Sequence, residues 1–230
     1  ELEVMAMKDS LNQDFSEHVV INTSSEKWHN SPSTGVDRIY LERDNMGEFS
    51  VASSIVKFSP NSSFDEHVHD SGEEIYVLDG TFSDQYGDYK KGSYLRNPDK
   101  SVHKPFSKEG CVIFVKLRQF QTDDTSRVIK DTKTSPWFQG LVPGLSVMPL
   151  HEFQTEHAAM VKWEPNTIFN AHKHWGGEEI LVVEGVFYDE NGSYPKGTWI
   201  RSPHLSQHKP FTKEEGALIF VKTGHLSIGE

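Results

Sequence analysis

The chain has one cysteine, Cys111, in 230 residues. A lone thiol rules out an internal disulfide framework and any thiolate-rich zinc knuckle. That suits a cytoplasmic protein. No apolar run reaches the roughly 18 residues that a membrane-spanning helix needs, so no membrane partner is expected. The first residues, Glu1 to Ser10, are mixed and polar, unlike a signal peptide; Met7 would suit a natural start. Positive charge is also scarce. Against 34 Asp and Glu stand 23 Lys and Arg, for a net charge of −11. Without a basic stripe to neutralise phosphates, direct nucleic-acid binding is not expected. Helical periodicity is missing too: no stretch sustains it beyond about three turns.

What the chain does contain is a pattern that occurs twice. His67, His69, Glu73 and His103 recur as His172, His174, Glu178 and His208, each 105 positions later. The same shift carries Gly80 to Gly185, Gly92 to Gly197 and Pro98 to Pro203. Residues 60–109 align with 165–214 without a gap, and roughly half of the positions are identical. The earlier parts of the repeats agree less, although Trp28 and Gly35-Val36 have an echo in Trp137 and Gly144-Leu145. The repeats are placed at 20–120 and 130–228. Gln121 to Ser135, rich in Asp, Thr and Lys, is expected to link them. Composition supports a core in each half, with 35% hydrophobic and 11% aromatic residues.

Local signals favour strands. Residues 50–58 and 157–163 precede the histidine pairs; 74–78 and 179–183 are short apolar runs rich in β-formers. Each of the latter ends in turn chemistry, Asp79-Gly80 or Glu184-Gly185. Residues 110–116 and 216–222 look like further buried strands. Many short strands in a chain of two such repeats predict an all-β protein, each half a sandwich or barrel.

Spacing gives the histidines a purpose. Residues i and i+2 of a strand point to one face, so the two imidazoles of each His-x-His pair converge. Glu73 or Glu178 opens the following strand, and alternation turns Glu74 and Glu179 to the opposite face. His103 or His208 arrives on a distant strand when a barrel closes. Three neutral nitrogens and one carboxylate suit a divalent transition metal rather than calcium or magnesium. Two sites per chain are expected, with zinc or iron foremost and manganese or nickel as alternatives. Such a set leaves positions open for water or a small molecule. A single His-x-His pair is as often a polar outer face; duplication in one register is what favours function.

These residues match the two motifs of the cupins. The first motif has the form G-x5-H-x-H-x3,4-E-x6-G. It runs here from Asn61 through His67, His69 and Glu73 to Gly80, and again from Asn166 to Gly185. The second runs from Gly92 through Pro98 to His103, and from Gly197 through Pro203 to His208. The opening Gly is Asn in both copies, which also tolerates a left-handed backbone. Lys100 and Leu205 replace a later Gly, and Ser107 and Thr212 replace the closing Asn. The resemblance implies two tandem cupin domains, each a double-stranded β-helix or jelly-roll barrel.

The run His172 to Glu179, H-x-H-x-G-G-E-E, with Gly-x-Tyr-x-x-Gly and the His208–Phe211 segment after it, more closely resembles ChrR-like cupins. That implies a metal-binding bicupin with a regulatory or sensing role. A sigma-factor partner follows from the resemblance alone. The zinc anti-sigma domain of ChrR uses an H-x3-C-x2-C motif, which a chain with one cysteine cannot provide. The alternative expectation is an iron-dependent dioxygenase, or a related cupin enzyme, acting on a small diketone or phenolic molecule. Both need a small-molecule ligand or substrate. No catalytic residue is assigned from sequence, and monomer and homodimer suit the chain equally.

Other residues carry expectations of their own. Cys111 is expected to be a buried structural thiol. Arg96 and Arg201 are equivalent and suit either an anionic ligand or a structural ion pair. Lys104 and Lys209 follow the last histidine and are expected at strand ends. Trp175, in place of Asp70, predicts a more apolar second pocket. His18, His29, His151, His157, His204 and His225 have no repeated partner and are expected on the surface or in packing.

Overall fold

The computed structural model describes residues 10–226. Met7 and the expected end of the second repeat at 228 lie outside the described residues. The chain divides into two compact units. One comprises Lys27–Lys133 and the described part of Glu1–Gln13; the other comprises Asp14–Glu26 and the described part of Thr134–Glu230. Among the described residues, helix is confined to the 3₁₀ turns Thr23–Ser25 and Gly47–Phe49.

Each unit is built on one long antiparallel sheet. In the first, the strand order is Val128–Asp131, Ser93–Asn97, Glu73–Asp84, Cys111–Leu117, Ala52–Phe58, Val36–Arg43, His29–Asn30. In the second it is Val19–Asn22, Thr198–Ser202, Glu178–Asp189, Ala217–Thr223, Glu156–Trp163, Leu145–Phe153, Phe138–Gln139. Beside each sheet lies a two-stranded ladder, His67–Val68 with Val102–His103 and His172–Lys173 with Gln207–His208. The strands expected from sequence are present, and the architecture is all-β in both halves.

Compact units and sequence repeats part company at their ends. Val19–Asn22 stands at the start of the first repeat, yet it pairs with Thr198–Ser202 in the second unit, Val19 opposite Arg201. The expected linker, whose lack of Gly and Pro clusters leaves room for short strands, contains one. It carries Val128–Asp131, which pairs with Ser93–Asn97 in the first unit. The physical reason is the same twice: without the added strand, Ser93–Asn97 or Thr198–Ser202 would be an open sheet edge.

The expected turns at Asp79-Gly80 and Glu184-Gly185 are not turns. Each chain runs on through a 12-residue strand, Glu73–Asp84 or Glu178–Asp189. At that point the ladder slips by one residue, between Val112 and Ile113 in the first unit and between Val182 and Glu184 in the second. Gly80 has φ +69°, and a Cβ there would meet the Gly110 carbonyl oxygen at 2.1 Å. An acidic-Gly pair serves a β-bulge as well as a hairpin, because both need a left-handed glycine. The bulge bends the strand so that Thr81–Asp84 leaves the main sheet to pair with Gly87–Lys90.

Arg96 and Arg201 are fully buried, and their surroundings make them structural. Arg96 bonds through Nη1 to Glu74 and through Nη2 to Asp124 Oδ2 (2.7 Å), with its guanidinium over Phe120 at 3.8 Å. Arg201 donates to the Asp14 carbonyl (2.8 Å) and lies over Phe15 at 4.4 Å. An anion has no access to either. Lys104 is exposed and its backbone N–H donates to Gln85, consistent with strand-end structure.

Aromatic rings fill the barrels beneath the histidines. Phe58 meets Phe64 and Phe82 edge-on at 5.5 and 5.8 Å. Trp163 meets Phe169 and Phe187 in the same way at 6.3 and 5.5 Å. Such edge-to-face contacts add directional preference to burial. Cys111 is buried in the first of these cores, and burial pushes its thiol up to about 11. The folded protein should therefore resist a thiol-reactive dye at pH 8 and release one reactive thiol only in denaturant. Rapid labelling of native protein would contradict the packing. Gly80→Ala should lower stability by at least about 1 kcal/mol, from backbone strain and the clash with Gly110, as read from denaturant unfolding.

Candidate metal centres

The two short ladders do the first part of the assembly. His67 lies directly opposite His103, and His172 opposite His208. The first and third histidines of each set, 36 residues apart in sequence, thus face one another as cross-strand partners. The second histidine follows at i+2. The Glu comes from the start of the long strand, where Glu73 and Glu74 are both buried but point to opposite faces. Glu74 goes to Arg96, and Glu73 goes to the imidazoles. In the second unit Glu179 accepts from Trp199 Nε1 and lies 2.9 Å from His225 Nε2, while Glu178 joins the histidines.

In the first unit one ligand atom from each of His67, His69, Glu73 and His103 lies within 4.8 Å of the other three. Glu73 Oε2 is 3.3 Å from His69 Nε2 and 3.4 Å from His103 Nε2. The second unit gathers His172, His174, Glu178 and His208 within the same limit. There Glu178 Oε2 is 2.8 Å from His174 Nε2, and His208 Nε2 is 3.2 Å from His172 Nε2. Every ligand candidate read from sequence is therefore brought into its set, and none is left out.

Hydrogen bonds fix which nitrogen faces inward. His67 Nδ1 is 2.9 Å from the Asp65 carbonyl, and His172 Nδ1 is 2.9 Å from that of Asn170. A carbonyl only accepts, so Nδ1 carries the proton and Nε2 turns a lone pair to the centre. His103 Nδ1 lies 3.4 Å from Asp84 Oδ2, and His208 Nδ1 lies 3.9 Å from Asp189 Oδ2. Tyr89 and Tyr194 each donate a hydroxyl hydrogen to the same carboxylates, at 3.2 and 2.9 Å. Asp84 and Asp189 were not singled out from sequence. They are identical across the 105-residue shift, so the repeat itself held the signal.

The donor set fits a cation. His69 Nε2 and His103 Nε2 are buried without a hydrogen-bond partner, which is costly unless something else takes the lone pairs. Burial lowers the affinity of His69 and His172 for a proton, so both favour the neutral form that ligates. Burial alone would push Glu73 up, but the His69 and His103 imidazoles and the Asn97 amide outweigh it and hold the carboxyl low. Glu178 is likewise pushed up by burial and held low by His174, with His208 and His172 adding to it. Two clusters of three nitrogens and one oxygen that could hold a metal ion thus stand one in each unit.

The surroundings differ. The first centre opens onto a cavity of about 430 Å³, whose walls include Val56, Phe58, Phe64 and Phe82. The second borders one of about 310 Å³ with more polar walls, among them Asp189, Ser202 and Gln207. The expectation of a more apolar second pocket is therefore reversed: Trp175 packs against His204 instead of lining the cavity. His18, expected on the surface or in packing, lines that second cavity with its Nδ1 3.1 Å from Ser202 Oγ. Its place follows from Val19–Asn22 joining the second unit, a pairing the repeat does not announce.

Comparison with known proteins agrees with this geometry. No curated protein matches the sequence. Among solved structures, a candidate dioxygenase from Nostoc punctiforme is 14% identical, with a TM-score of 0.74 over 93% of this chain and 85% of that one. A bacterial pirin from Escherichia coli in complex with nickel(II) is 12% identical, with a TM-score of 0.66 over 92% and 100%. A mutant of Bacillus subtilis oxalate decarboxylase is 13% identical, with a TM-score of 0.63 over 91% and 78%. These likenesses are of fold. The family model described as the ChrR Cupin-like domain matches twice, over residues 16–121 and 125–227. Two matches that together span most of the chain, each with a full set of ligand candidates, place this protein in the ChrR Cupin-like family as a bicupin.

Proposed function

We propose that each unit holds one divalent transition metal, and that the protein is a ligand-responsive, regulatory metal cupin of the ChrR type. His67, His69, Glu73 and His103 would hold the first ion, and His172, His174, Glu178 and His208 the second. Zinc and iron suit the mixed nitrogen and carboxylate set best, with manganese and nickel next. A bound metal would supply Lewis acidity and, if it is iron, redox chemistry. The chain does the rest. Asp84 orients His103 and fixes its tautomer, as partners behind metal ligands do, and Asp189 stands in the equivalent place behind His208. Asn97 donates to Glu73 Oε2 at 3.2 Å and keeps that carboxylate aimed. The apolar walls exclude water from whatever binds beside the centre.

One observation carries the reading: the 430 Å³ cavity is lined by His67, His69 and Glu73 themselves. A small molecule in it would lie against the ligand set. In a regulatory role its occupancy would be read by a protein partner, with a sigma factor the candidate that the family name suggests. The same cavity favours a second reading. Its aliphatic and aromatic lining suits a diketone or phenol, and an iron-loaded first centre would then act as a dioxygenase.

Elemental analysis of protein purified without a metal-affinity tag should find about two metal ions per chain. Two zinc ions with no oxygen uptake would support the regulatory reading; iron with uptake on diketones or phenols would support the enzyme. Protein that takes up no transition metal would sink both. His67→Ala with His69→Ala should reduce the count from two to one, and a count that stays at two would refute the ligand set. Asp84→Asn keeps the shape but weakens the support of His103. It should lower metal affinity at the first centre by about 10–100-fold and leave the second unchanged, as measured by chelator competition.

A further inference from the structure

We infer that the cavity of the first centre takes a small organic acid, its apolar body against the barrel's aromatic and aliphatic wall and its carboxylate on Arg38. This deepens the small-molecule reading above and rests on it for the cavity's role, not for the presence of metal.

Arg38 sits in the strand Val36–Arg43, opposite Val56, and lines the cavity together with His67, His69 and Glu73. Its guanidinium carbon is 5.7 Å from the centre of the Phe64 ring, which in turn meets His67 edge-on at 6.3 Å. Among the described residues it has neither a hydrogen-bond nor an ion-pair partner. Other arginines of this unit are engaged. Arg96 is clamped between two carboxylates, and Arg43 donates to Ser50 Oγ and the Gly47 carbonyl. A half-buried guanidinium with five donors and no acceptor is a site waiting for an anion.

The second repeat shows that the fold does not require it. Gly35 corresponds to Gly144, which makes Val147 the counterpart of Arg38. The ladders agree: Arg38 lies opposite His29 and Val56, and Val147 lies opposite Phe138 and Val161. Val147 packs against the apolar core of its own unit. A second cation follows the same rule. Arg118 lines the first cavity, with Nη1 donating to the Ser50 carbonyl at 3.2 Å and Nε buried without a partner. Leu117 lies opposite Glu73 as Thr223 lies opposite Glu178, so the counterpart of Arg118 is Gly224. Both guanidiniums are thus confined to the first unit.

Acidic residues argue the other way, and position decides between them. The buried Glu73 is turned to His69, His103 and Asn97; Glu48, Asp65, Glu66 and Asp70 also border the cavity, and these four are exposed to water. Their repulsion is screened by solvent and salt, whereas Arg38 acts against a low-dielectric wall. The rim should slow entry more than it weakens binding. Arg38 is the guanidinium whose whole fork is free, since Arg118 is tied to the Ser50 carbonyl, and one free fork in a largely apolar chamber fits a monocarboxylate better than a multiply charged anion.

Benzoate and its neutral isostere benzamide separate the charge from the shape, with hexanoate and hexanamide as the aliphatic pair. Binding is measured by calorimetry on the full chain at pH 7, with metal content determined on the same samples. Wild type should bind at least one of the acids about 10-fold or more tightly than its amide. Arg38→Met, close in volume and apolar like Val147, should abolish that preference, and Arg38→Lys should restore part of it. Metal per chain should be unchanged in both variants. Equal affinity for acid and amide, no saturable binding of either acid, or a preference that survives Arg38→Met would overturn the inference; the last would put the carboxylate on Arg118 or on the metal, which the chelator-stripped protein distinguishes. The preference should persist in chelator-stripped protein. If it does so in a chain that holds no metal, the metal reading falls and this inference stands.

Discussion

Two adjacent carboxylates are buried at the head of each long strand, and a buried charge must be matched on its own side. The pleat sends Glu73 and Glu74 in opposite directions, so each needs its own partner. Glu74 has Arg96, which Asp124 and Phe120 hold in place. Glu73 has the imidazoles and Asn97. The ligand set and the structural ion pair are therefore two faces of one strand. The same division recurs in the second unit, where Glu179 lies opposite Arg201 as Glu74 lies opposite Arg96. Glu179 is met by Trp199 and His225, while Glu178 keeps its histidines. What the repeat preserves is the division itself, one Glu turned to the histidines and the next turned away from them.

That contrast explains how much the sequence revealed. The ligand candidates were legible because strand periodicity and an unbroken 105-residue shift act together on few residue types. The strands were legible for the same reason. Asp84 and Asp189 were missed although the shift marks them, since a lone Asp after an apolar run looks like a strand end. Only the bent long strand brings it behind His103. The bulge was mistaken for a turn because both demand the same left-handed glycine. Arg38 could not be seen at all: it lies where the repeats agree poorly, and an arginine in an alternating strand looks like a solvated face. Its meaning needs the cavity.

The two centres have diverged by changes around a constant ligand set. In the first unit the neighbours are Asn97, Arg38 and Arg118. In the second the corresponding positions are Ser202, Val147 and Gly224, and His18 enters from the N-terminal segment. None of these alters a ligand, yet together they change the charge, size and polarity of what can lie beside it. Duplicated sites of this kind can share a metal and differ in the molecule they accept.

The strand Val19–Asn22 closes the second unit against Thr198–Ser202, and this sets an order of events at the ribosome. The first unit has its last strand once Val128–Asp131 has emerged, so it can fold while the rest is still being made. Residues 14–26 must wait, unpaired, until almost the whole chain is out. The second barrel thus depends on pairing Val19 with Arg201, the longest sequence separation of any strand pair among the described residues, and should be the slower to close. A cut between residues 120 and 128 would free neither barrel intact, because each fragment would hold a strand that the other needs.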